Sequence, residues 1–161
     1  MRLAVTAAVI VAACGGSGGG TTATACNITL SGGSTGSFGC TSFQSGFQSS
    51  NNFTQVSSGI AGLAGSSISI NVAGPLHAGT FTDADGTTKA TMSVGNAGKV
   101  WTLEVARAGG TDHGTFALHV EQVSTTTVTN VGTGYAIHGN LDATLTPLSG
   151  TTDNLALHWD F

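Results

Sequence analysis

The sequence predicts an all-β fold, an antiparallel β-sandwich of roughly eight to ten strands, with a small β-barrel as the alternative. Three observations predict it. Apolar and polar residues alternate with a period of two through most of the chain. Turn signals rich in glycine punctuate the runs, and the chain has 25 glycines but only 2 prolines. Beyond the N-terminal segment, no window longer than about ten residues keeps a helical stripe.

The elements follow in order. Asn27–Ser31 reads as a short strand broken by Gly32-Gly33-Ser34. Ser37–Phe47 alternates in part, with Phe43 and Phe47 on one parity and Gly39 and Gly46 interrupting it. Phe53–Ser57 is a weak strand, and Gly59–Gly65 reads equally as a loop or one helical turn. Ser67–Ala73 alternates cleanly through Ile68, Ile70 and Val72 and ends at Gly74-Pro75. Gly79–Thr82 is short and runs into the turn Asp83-Ala84-Asp85-Gly86. Lys89–Val94 and Lys99–Ala106 follow, and residues 109–114 form a glycine-rich turn.

The last third is the most regular. Thr115–Val123 places Phe116, Leu118 and Val120 against His119 and Glu121. Thr133–Thr146 places Tyr135, Ile137, Leu141, Ala143 and Leu145 against His138, Asn140, Asp142 and Thr144. Asn154–Phe161 places Leu155, Leu157, Trp159 and Phe161 against His158 and Asp160. One greasy and one polar side per strand is the pattern of antiparallel sheets packed face to face with wet outer faces. Trp101, Tyr135 and Trp159 share the apolar parity, so they read as core residues rather than as platforms for sugar rings.

The chain divides into three parts: a leader over 1–13, a cysteine and tether over 14–25, and one β domain over 26–161. Arg2 precedes the apolar run Leu3–Ala13, and a helix of that length spans only about 16 Å, half a hydrocarbon core. The run ends at Val11-Ala12-Ala13-Cys14. These residues resemble the lipobox of the bacterial lipoprotein signal peptide, over 1–14 only. The resemblance implies diacylglycerol on the Cys14 thiol, cleavage before it and acylation of the new amino terminus, palmitate being one such chain. With Gly15 rather than Asp after the cysteine, it also implies an outer-membrane address. An ordinary secretory leader cleaved after Ala13 or near Ala23–Ala25 is the alternative. Gly15–Ala25 offers no large apolar group to bury and reads as a tether of about 18 Å r.m.s. span.

Lys89, Lys99 and Arg107 are the basic residues left after the leader, against eight acidic ones, and the whole chain carries a formal charge of −4. A nucleic-acid partner needs a basic stripe, and this sequence has none. Cys26 and Cys40 form an even pair in an exported chain and read as a disulfide. Their spacing has neither the Cys-x2-Cys form of a redox site nor further ligands close by.

Three constellations are candidates for chemistry. His119, His138 and His158 recur in the similar tripeptides Ala117-Leu-His, Ala136-Ile-His and Ala156-Leu-His, beside Glu121, Asp142 and Asp160. Imidazoles and carboxylates on neighbouring strands of one polar face suit a transition metal, and exposed sheet residues are the plainer account. Asp83 and Asp85 open like a calcium loop. Gly86 falls too early, and Val94 stands where the EF-hand has its glutamate, so a hairpin turn is the plainer account. Asp112-His113 pairs a base with a carboxylate, but adjacent residues orient each other poorly and no Gly-x-Ser-x-Gly elbow occurs.

The expected function is therefore that of a lipid-anchored envelope protein with a structural or protein-interaction role. A small-ligand, glycan or metal-binding module is the alternative, and a hydrolase is a distant third. No cofactor is expected. The expected partners are membrane lipid through Cys14 and an envelope protein or glycan.

Overall fold

The computed structural model describes residues 26–105, 113–128 and 132–161. The expected leader, Cys14 and the tether lie outside the described residues, as does Asp112. The fold is all-β, one antiparallel sheet of ten strands folded over on itself in the manner of a β-sandwich. The strands are β1 (Asn27–Gly32), β2 (Gly36–Gln48), β3 (Phe53–Ile60), β4 (Ser67–Ala73), β5 (Gly79–Thr82), β6 (Lys89–Asn96), β7 (Lys99–Val105), β8 (Thr115–Val128), β9 (Gly132–Ser149) and β10 (Leu155–Asp160).

The order across the sheet is β10-β1-β2-β3-β4-β6-β7-β9-β8-β5, with further pairings of β9 to β10 and to β2. The 18-residue β9 makes these extra pairings possible. Its Thr146–Ser149 end pairs with β7, its Asn140–Leu145 stretch with β10, and Gly132–Thr144 with β8. One margin of the folded sheet, β10, is thereby stitched back onto β9. β1 lies between β10 and β2 rather than at an edge, while among the described residues β5 pairs with β8 alone.

The alternation read from the sequence places the core. Ile68, Ile70 and Val72 of β4, Leu141 and Leu145 of β9, and Leu155, Leu157 and Trp159 of β10 are all buried. Trp101 and Trp159 are fully buried, and Tyr135 is nearly so. Each indole has a partner inside: Trp101 Nε1 donates to the Asp153 carbonyl at 2.8 Å, and Trp159 Nε1 to Cys26 Sγ at 3.0 Å. Trp159 also packs edge-on against Phe43 and close to Phe161. Cys26 and Cys40 are joined in the expected disulfide, between the start of β1 and the middle of β2.

Several strands run past their sequence reading, β8 to Val128 and β9 to Ser149 among them, and β3 and β2 show the physical reasons most plainly. β3 runs to Ile60, three residues beyond the expected end, because two of its inward positions are polar. Thr54 Oγ1 donates to the Gly74 carbonyl at 2.8 Å, and Ser58 Oγ to that of Thr41 at 3.2 Å. A hydroxyl with such a partner is buried without the penalty of an unmade bond. β2 spans 13 residues because a bulge between Thr41 and Gln44, with Ser42 at φ 51°, resets its alternation. Asp83–Asp85 forms a short 3-10 turn.

Candidate functional site

Strands β8, β9 and β10 lie side by side in chain order, so His119, His138 and His158 share the outer face of the sheet as the alternation requires. Register keeps them apart. His119 stands opposite Asn140, His138 opposite Gln122, and His158 opposite Asp142 on the other edge of β9. Two strand spacings and two residues separate His119 from His158, roughly 12 Å between Cα atoms. His119 Nδ1 shares a 2.8 Å hydrogen bond with Thr80 Oγ1 instead. Glu121 is the extra residue of the bulge between Val120 and Gln122 and is exposed. Among the described residues, no group of three or more His, Cys, Asp or Glu side chains is arranged to hold a metal ion.

What the register does assemble is a trio. His158 Nδ1 lies 2.7 Å from Asp142 Oδ1, and its Nε2 lies 3.0 Å from Asp160 Oδ1. A ring that donates from both nitrogens is an imidazolium. The hydrogen bond to Asp142 is the main cause that holds the His158 pKa above its ordinary value; partial burial opposes it, and the charges of both carboxylates reinforce it. With both nitrogens engaged, the ring has none left to serve a nucleophile as general base.

The carboxylates of Asp83 and Asp85 turn to different backbone partners. Asp85 Oδ1 accepts from the backbone N–H of Thr87 and Thr88, at 2.9 and 2.7 Å, and Oδ2 from the Thr88 hydroxyl and the Thr82 N–H. Burial pushes the Asp85 carboxyl up, but these four bonds together outweigh it and hold the pKa below the usual carboxylate range. Asp83 Oδ1 accepts instead from the Phe116 N–H at 3.2 Å, tying the turn to the start of β8. His113 is exposed and its backbone bridges to Glu104; its expected partner Asp112 lies outside the described residues.

The polar faces are legible in each strand's alternation, but the site they build is not. Across β1, β10, β9, β8 and β5 the registers align into one row: Thr29, His158, Asp142, Ala117 and Thr82. A parallel row holds Ser31, Ala156, Thr144 and Thr115, with Asp83 beyond its end. Asn27, Asp160, Asn140, His119 and Thr80 form a third row on the other flank. The first two rows line a groove of about 600 Å³. The small side chains of Ala117 and Ala156 leave the hollow, and the hydroxyls and carboxylates around them give it a polar wall. No signal within one strand could have found this, since β1 and β10 come from opposite ends of the domain.

No protein-family model, curated protein or solved structure matches the chain.

Proposed function

We propose that the protein is an envelope lipoprotein, anchored through an acylated Cys14 in the outer membrane, whose β domain serves a structural or interaction role. The observation that carries the reading is a single-charge, 11-residue apolar leader ending at Val11-Ala12-Ala13-Cys14. The Cys26–Cys40 disulfide supports it independently, because such bonds persist in oxidising compartments outside the cytosol. Two or more acyl chains give stable attachment where one gives marginal binding. A polar tether of 11 residues would then hold the domain near the bilayer.

Intact-mass spectrometry of the full-length protein, expressed in a Gram-negative host and extracted from membranes, tests this reading. The expected product begins at Cys14 and carries diacylglyceryl and acyl mass, and Cys14→Ser abolishes both the modification and membrane retention. A water-soluble product without acyl mass overturns it.

A second reading, a module that binds a small ligand, is favoured by the groove over β1, β10, β9, β8 and β5. Its volume falls within the usual range for ligand pockets, and polar groups converge on it from five strands.

A further inference from the structure

We infer that the groove is a binding site for an amino-sugar chain, a polyhydroxylated ligand bearing free ammonium groups. The inference deepens the second reading and does not depend on whether Cys14 carries lipid.

Shape is the first argument. The aligned row from Thr29 to Thr82 crosses five strands, about 19 Å from end to end, long enough for several sugar rings laid across the strands. Ala117 and Ala156 form the low part of the trough, so a ring can approach the backbone there. The hydroxyls of Thr29, Thr82, Thr115 and Thr144 line it on both sides, and each can donate and accept. A ligand rich in hydroxyls matches such a wall, whereas an apolar one leaves it unpaired. Among the described lining residues Phe116 is the one Phe, Tyr or Trp, and it is buried, so recognition rests on hydrogen bonds and charge rather than stacking.

Charge selects within that class. Asp83 and Asp142 line the groove and Asp160 flanks it, with no Lys or Arg among the described residues that line it. The His158 imidazolium offsets one of these three charges. Among the described residues, Asp83 and Asp142 each accept a single hydrogen bond, which leaves acceptor capacity at the groove wall for N–H donors. A uronate or phosphate chain meets like charge here, and an ammonium-bearing chain meets opposite charge.

Calorimetry on the full-length protein at pH 6 tests the inference with three probes: a glucosamine tetramer, its N-acetylated counterpart and a galacturonate tetramer. The expected result is sub-millimolar binding of the glucosamine tetramer, at least tenfold weaker binding of the acetylated one and none of the uronate. Ala156→Trp fills the trough and Asp142→Asn removes a charge, and each is expected to weaken binding tenfold or more. Thr91→Trp, exposed on β6 away from the groove, leaves it unchanged. A cooperative thermal transition followed by far-UV circular dichroism verifies that each variant is folded, and Asp83→Asn replaces Ala156→Trp if that variant does not fold. Absence of binding at millimolar glucosamine tetramer overturns the inference. So does equal or tighter binding of either other probe, or full binding by the groove variants.

Discussion

His158 and Asp142 stand directly opposite each other on β10 and β9, with Nδ1 2.7 Å from Oδ1, and Asp160 closes on the other ring nitrogen at 3.0 Å. The pair sits on the outer face of the seam at which β10 joins β9 to β1. Thr29 of β1 completes the row on the far side and carries no charge, so among the described residues the two aspartates are the charged groups that meet the ring.

The first prediction follows from the sign of the His158 shift. A folded-state pKa raised above about 6.5 gives stability that is fully present below the unfolded value and lost as pH rises through the folded one. His158→Gln therefore lowers the melting temperature at pH 5.5 and changes it little at pH 9. The side chains are 42–67% exposed, so solvent screening keeps the effect below about 1 kcal/mol, a few degrees for a chain of this size. Thermal melts of wild type and variant across that pH range check it.

Asp85 predicts the opposite slope. Its pKa is depressed, so its contribution is present above the unfolded value near 4 and lost as pH falls through the folded one. Asp85→Asn is expected to cost about 1 kcal/mol at pH 7, as for loss of a capping carboxylate. Denaturant titrations at pH 7 and pH 2.5 check it: the difference between variant and wild type closes at the lower pH.

The disulfide predicts a larger loss. Closing a 14-residue separation contributes about 3 kcal/mol in the chain-entropy account. The Cys26→Ser, Cys40→Ser double variant should lose about that much in guanidinium unfolding. Because Trp159 Nε1 donates to Cys26 Sγ, its emission changes along with the loss. β1 is held between β10 and β2, so the bond secures an interior strand and its removal lowers the cooperative transition rather than loosening an edge.

Gly139 predicts a steric failure. It lies beside the bulge in β8, exchanges backbone hydrogen bonds with Phe161, and a Cβ there would run into the His119 carbonyl oxygen. Gly139→Ala forces backbone to move in the centre of the sheet. The expected cost is about 1–3 kcal/mol, and equilibrium unfolding measures it.

How far these features were legible from sequence depends on their range. Period two exposed β4 and the inward faces of β8, β9 and β10, because each of those strands is apolar on one side and polar on the other. The same rule failed at Ser58 and Thr54, whose burial depends on carbonyls of distant residues, and at Ser42, where an extra residue shifts the parity. Parity also put the three histidines on one face without saying that they stand apart. Their separation, and the meeting of His158 with Asp142, are set by register between strands. The groove needs register across five strands at once. No local pattern carries that information.

Register is therefore what the account stands on, since a slip of one residue turns every side chain of a strand to the opposite face. Cross-strand backbone NOEs in the isotope-labelled protein measure it directly. The predicted contacts are Thr29 with His158, His158 with Asp142, and Asp142 with Ala117. Contacts that pair His158 with Leu141 or Ala143 instead would contradict the site, the groove and the packing beneath it together.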